Sequence, residues 1–158
     1  MPDSVFKAER IIVSHKQLLK ASTEKVFPLL CPKREYDWIE HWDCSIISPE
    51  QGFAELDGIF VTEFPGEEKE VWYIDRYEPN SLIEFIKTSE SKAVRYTITL
   101  DDLGNGTTSA NWSQVITALN ETGNKFIKSV SAEEFSKKIQ GIEKLLNHYL
   151  VTGEMLKN

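Results

Sequence analysis

The chain has 158 residues and a mass of 18.1 kDa, a size at which one domain buries roughly 70% of its unfolded surface and needs neither disulfides nor a structural metal. Eighteen Lys and Arg against 25 Asp and Glu leave a net charge of −7 and a pI near 5.0, so phosphate backbones and anionic headgroups repel it and nucleic acid is excluded as a partner. No run of about 18 apolar residues is present, which excludes membrane insertion, and a charged start without an apolar stretch, together with only Cys31 and Cys44, predicts a cytoplasmic protein with reduced thiols.

The first strand is expected over Glu9–Leu19, where Ile11, Ile12 and Val13 are β-branched. A short helix follows, with Ser22 at its cap and Glu24 at the positive end of its dipole. Pro32 then ends this helix or opens a second short one running through Glu35 to Ile39. Strand signals follow at Cys44–Ser48, Ala54–Phe64, Val71–Tyr77, Leu82–Lys87, Ala93–Leu100 and Thr107–Leu119, separated by turn residues such as Pro65-Gly66 and Pro79-Asn80. Asp102–Gly106 is the clearest hairpin signal, because Gly and Asn tolerate positive φ. The last element is a long helix over Ser131–Thr152. Ser131 and Glu134 form a capping box, Gly153 ends the helix, and apolar residues from Phe135 to Leu150 recur at spacings of three and four.

Short turns force neighbouring strands antiparallel, and a helix of that length must lie across the sheet. Residues 1–158 therefore read as a single α+β domain. Its seven-stranded curved antiparallel sheet wraps around the long C-terminal helix, and two short helices follow strand 1. A helix cannot fill the whole concavity of such a sheet, so space for a ligand remains between them.

Several segments in this order resemble the START-like, Bet v 1-like superfamily, also called SRPBCC. They are Ala21-Ser22-Thr23-Glu24-Lys25-Val26-Phe27, Trp38 with Trp42, Tyr77-Glu78-Pro79-Asn80, and Gly104-Asn105-Gly106-Thr107-Thr108. The stretch Leu30-Cys31-Pro32-Lys33-Arg34-Glu35-Tyr36-Asp37-Trp38-Ile39 is similar to an uncharacterised bacterial subgroup. The resemblance spans nearly the whole chain and implies a helix-grip fold with an internal cavity for hydrophobic molecules. It implies no single activity, since binding proteins, lipid transporters, polyketide cyclases and chaperone co-activators share it.

On the last strand Ala110, Trp112, Gln114, Ile116 and Ala118 share one face, and on the preceding strand Val94, Tyr96, Ile98 and Leu100 do so. Both rows are expected to look inward, bringing Tyr96, Trp112 and Gln114 together. Phe60, Thr62 and Phe64 share a face of an earlier strand. Whether Glu84 or Phe85 points inward is left open by the alternation, and Glu84 is expected at the surface. Trp38, Phe60, Phe64, Trp72, Phe85, Tyr96, Trp112, Gln114 and Ile142 are the candidate ligand-binding residues. His41, Cys44 and Cys31 lack a second close pair, so neither a metal nor another cofactor is expected. Gly141 is expected to mark either a close approach of the last helix to the sheet, the favoured reading, or a bend that widens a pocket mouth.

No recognisable catalytic motif occurs, no catalytic residue is assigned, and the oligomeric state is left open. The favoured function is binding of a small hydrophobic, aromatic or lipid-like molecule. One alternative is a cyclase or dehydratase acting on a polyketide-like substrate, with Tyr96, Glu84 or His41 moving protons. Another is an interaction module like the chaperone co-activators, with a filled interior.

Overall fold

A computed structural model describes residues 5–157. Strand β1 (Arg10–Leu19) leads into helix α1 (Thr23–Val26), a 3-10 turn (Phe27–Leu30) and helix α2 (Pro32–Glu35). Strands β2 (Ser45–Ser48), β3 (Ile59–Thr62), β4 (Glu70–Glu78), β5 (Leu82–Thr88), β6 (Lys92–Asp102) and β7 (Thr108–Ala118) follow. Helices α3 (Glu121–Ser129) and α4 (Ala132–Thr152) complete the chain. The seven strands form one antiparallel sheet in the order β1-β7-β6-β5-β4-β3-β2, so the first strand closes onto the last. This is the helix-grip arrangement expected from the turn chemistry and the long amphipathic helix.

Strict alternation builds the concave face. Every second residue of β7, from Thr108 to Ala118, is buried, as are Val94, Tyr96, Ile98 and Leu100 of β6, matching the period of two of a half-buried strand. Helix α4 lies against this face through Phe135, Ile139 and Leu146. Ser131 Oγ accepts the Glu134 N–H at 3.0 Å at one end, and Gly153 at φ 73° closes the other. Two further contacts fix α4 to β1. The Glu143 carboxylate accepts the Leu18 N–H at 2.7 Å, and Asn147 both accepts the Lys20 N–H at 2.8 Å and donates to the Leu18 carbonyl at 3.0 Å.

Several expectations need correcting. Strand β3 spans only Ile59–Thr62, because Asp57 turns the chain at φ 68°; Gly58 then hugs the chain, and a Cβ there would sit 3.1 Å from the Glu55 carbonyl. At the other end Phe64 lies past the strand, where its carbonyl accepts the Glu67 N–H at 3.0 Å in the turn through Pro65-Gly66. Ser22 occupies the N-cap of α1 but its side chain makes no cap bond; its carbonyl accepts the Lys25 and Val26 N–H groups. Helix α3 was not anticipated. Asn120 caps it through the Gly123 N–H at 3.0 Å, and Gly123 passes so close to the β5–β6 turn that a Cβ would lie 2.1 Å from the Ser91 carbonyl. Gly141, by contrast, is exposed with nothing within 4 Å of a Cβ, so close packing is not the reason for it.

Glu84 is also not at the surface. It is 5% exposed yet points away from α4, to the face where Thr97 Oγ1 donates to it at 2.7 Å and Arg95 Nε stands 4.0 Å away. Phe85, between the inward residues Ile83 and Lys87, is the member of that pair that faces the concavity. A proton-moving role for Glu84 inside the cavity is thereby removed.

Candidate functional site

Between the sheet and α4 lies a cavity of about 340 Å³, within the range of small-molecule sites. Its walls come from the segment around α2, from β3 to β7 and from α4. Trp38, Ile39 and Trp42 enter from the turn after α2, Phe60 from β3, Trp72 from β4, and Phe85 and Lys87 from β5. Tyr96 and Ile98 come from β6, Trp112 from β7, and Ile142 and Leu145 from α4. Phe64, just past β3, also lines it. Of the nine candidate residues only Gln114 is off the wall; it is buried and its amide faces the Tyr96 hydroxyl. Glu67 and Lys138 are the exposed members of the lining and mark where the cavity reaches the surface.

The aromatic rings form a continuous belt. Phe60 stacks on Trp72 with centroids 5.2 Å apart, Trp72 meets Phe85 edge-on at 5.5 Å, and Tyr96 meets Trp112 at 5.9 Å. Strand register sets this belt, since Phe60 is directly opposite Trp72 and Phe85 opposite Tyr96. All four indole N–H groups are already bonded within the protein. Trp38 donates to the Leu29 carbonyl and Trp42 to the Pro32 carbonyl, each at 2.8 Å. Trp72 donates to Thr62 Oγ1 at 3.0 Å. Trp112 donates to Gln17 Oε1 at 2.8 Å, and the same Gln17 amide donates to the Ile139 carbonyl of α4 at 2.9 Å. The rings are thus locked in place, and they offer a ligand their faces and edges rather than hydrogen-bond donors.

Besides the exposed Glu67 and Lys138 and the Glu70 partner of Lys87, three polar groups interrupt this lining, and two of them were not singled out in the sequence. Glu35, at the end of α2, is half-buried at the cavity wall, and burial alone pushes its carboxyl up to about 8. At neutral pH it is therefore mostly protonated. Lys87 stands over Trp72 at 4.7 Å and over Tyr96 at 5.7 Å, with its ammonium 3.4 Å from Glu70. Burial pulls its pKa down while Glu70 opposes that pull. Tyr96 is the third, and desolvation pushes its hydroxyl far above the ordinary range. Glu35 escaped sequence reasoning because it sits in a polar run, Lys33-Arg34-Glu35, that reads as a solvated helix face. Lys87 escaped because it ends a strand, although it continues the inward row of Ile83 and Phe85.

His41 is exposed and stands 3.6 Å from the Glu40 carboxylate. Cys31 is buried with its thiol against the Gly52 carbonyl. Among the described residues no three His, Cys, Asp or Glu side chains group as metal ligands, and no helix is long and apolar enough to cross a membrane.

The sequence matches no protein-family model and no curated protein. Solved structures do match. An uncharacterized protein from Rhizobium leguminosarum aligns at 13% identity over 92% of this chain and 99% of its own, with a TM-score of 0.64. Norcoclaurine synthase from Thalictrum flavum, solved with dopamine and hydroxybenzaldehyde, aligns at 14% identity over 87% of both chains with a TM-score of 0.61. Aha1 from Colwellia psychrerythraea aligns at 15% identity over 87% of this chain and 96% of its own, with a TM-score of 0.62. At such identities the likeness concerns fold alone. The chain has the START-like, Bet v 1-like helix-grip fold.

Proposed function

We propose that this protein binds a small, mostly apolar molecule with an aromatic portion in the cavity between the sheet and α4. The observation that carries this reading is the belt of fixed aromatic rings around about 340 Å³ of space. Affinity would come from removing apolar ligand surface from water, at roughly 25 cal/mol per Å², and the locked rings spare the ordering cost of a floppy site. A neutral probe such as N-phenyl-1-naphthylamine should bind saturably with a rise in its fluorescence. Ile142→Trp places an indole into the cavity from α4 and should weaken that binding at least about tenfold, with far-UV circular dichroism unchanged. Undiminished affinity in the folded variant would place the probe elsewhere and refute the assignment.

A second reading, an enzyme of the cyclase or dehydratase kind, draws support from Glu35, Lys87 and Tyr96 lying on one cavity wall. A carboxylic acid that stays protonated at neutral pH is suited to giving a proton to a bound substrate. It ranks second because Lys87 is tied to Glu70 and, among the described residues, no base pairs with Glu35. The interaction-module reading expects a filled interior and loses support from the cavity.

A further inference from the structure

The ligand itself carries a basic nitrogen, we infer: the cavity is built to receive an ammonium group against the Glu35 carboxylate, with aromatic faces beside it. This rests on the cavity reading above and adds the chemical class of the guest. The argument begins with hydrogen-bond accounting. The indole N–H groups are all spent inside the protein, the Tyr96 hydroxyl faces Gln114, and Lys87 is paired with Glu70. Glu35 is the exception. Among the described residues the half-buried Glu35 carboxyl, on the cavity wall, makes neither a hydrogen bond nor an ion pair, and burial is what raises its pKa. An unpaired carboxyl against an aromatic wall is costly unless something enters to pair with it.

The surrounding charges choose the sign of that partner. Glu35 acts electrostatically on Tyr96 and Cys44, and burial together with its charge favours their neutral forms. The lining also holds Glu67, Glu70, Lys87 and Lys138, with Glu70 paired to Lys87, so with Glu35 ionised it carries one more negative than positive charge. A ligand carboxylate would have to displace Glu70 from Lys87 and would gain nothing at Glu35. An ammonium gains the Glu35 carboxylate and the quadrupoles of the neighbouring rings together.

Phenethylamine, 2-phenylethanol and 3-phenylpropionate test this, because they share a ring and differ in end group, which is cationic, neutral or anionic. Titration calorimetry on the full chain near neutral pH should give the amine an affinity at least about tenfold above the alcohol, with the acid weakest. In Glu35→Gln the ratio of amine to alcohol affinity should fall toward one. A second readout needs no variant. Amine binding ionises Glu35 and releases close to one proton per complex, so the observed heat should change with the ionisation enthalpy of the buffer, whereas alcohol binding should not show this. Binding of the alcohol or acid as tightly as the amine, no proton release, or an unchanged ratio in Glu35→Gln would each overturn the inference while the cavity assignment stands. Failure of all three probes to bind would overturn both.

Discussion

Glu35→Gln also makes a thermodynamic prediction that needs no ligand. The folded protein holds the Glu35 proton up to about 8, whereas an unfolded chain releases it near 4.5. Between those values the folded state carries one more proton than the unfolded state, so stability falls as pH rises, by about 1.4 kcal/mol per pH unit. Across the whole interval the loss reaches about 5 kcal/mol in a dry cavity, and roughly half of that where water sharing the cavity screens the charge. Below about pH 4.5 the penalty is absent, and above about pH 8 it is fully present. Glutamine keeps the shape and hydrogen-bonding capacity of the protonated acid but never ionises. The variant should therefore match the parent near pH 4.5 and be more stable than it at pH 8 by about 2–5 kcal/mol. Asp75, whose carboxyl is also held up by burial and by neighbouring Glu84, contributes equally to both proteins and drops out of the difference. Urea unfolding followed by circular dichroism from about pH 4.5 to about pH 9 measures it. Curves that run parallel across this range would show that Glu35 is neither buried nor unpaired.

Two glycines should respond in opposite directions. Gly141→Ala meets open space in mid-helix and should stabilise by about 0.5–1 kcal/mol; Gly123→Ala places a methyl 2.1 Å from the Ser91 carbonyl and 3.0 Å from Ala118 Cβ and should cost about 2 kcal/mol or more. Denaturant midpoints read both, and a stabilised Gly123→Ala would contradict the described packing of α3. Gln17→Leu should cost about 2–4 kcal/mol, because the Trp112 N–H loses its only acceptor in a buried setting. It should also shift tryptophan emission, and an unaltered spectrum would argue against the Gln17–Trp112 bond.

How much of this was readable beforehand follows from which signals are local. Strand β7 was legible because its alternation runs unbroken from Thr108 to Ala118, and α4 because cap, apolar stripe and terminal glycine agree. Helix α3 was not, since Gly123 and Asn124 look like loop residues until the β5–β6 turn is brought against them. The aromatic lining could be named from residue type and period, and Gln114 is buried on the inward face beside Tyr96 as that period implies, but that face contains positions on the cavity wall and positions packed away from it, and Gln114 is one of the latter. Burial of single charged residues was the weakest point. Glu35 and Glu84 owe their surroundings to strands and turns distant in sequence, and no local pattern around either residue encodes that.

The contacts that Glu143 and Asn147 make with the end of β1 have a consequence for self-association. An outermost strand normally leaves a row of amides and carbonyls ready to template another chain. Here the Leu18 and Lys20 amides and the Leu18 carbonyl are taken by side chains of the C-terminal helix. The helix thereby denies an incoming β-segment its docking register along that stretch. The rod that holds the pocket in shape thus also guards this margin of the sheet against fibril-type growth.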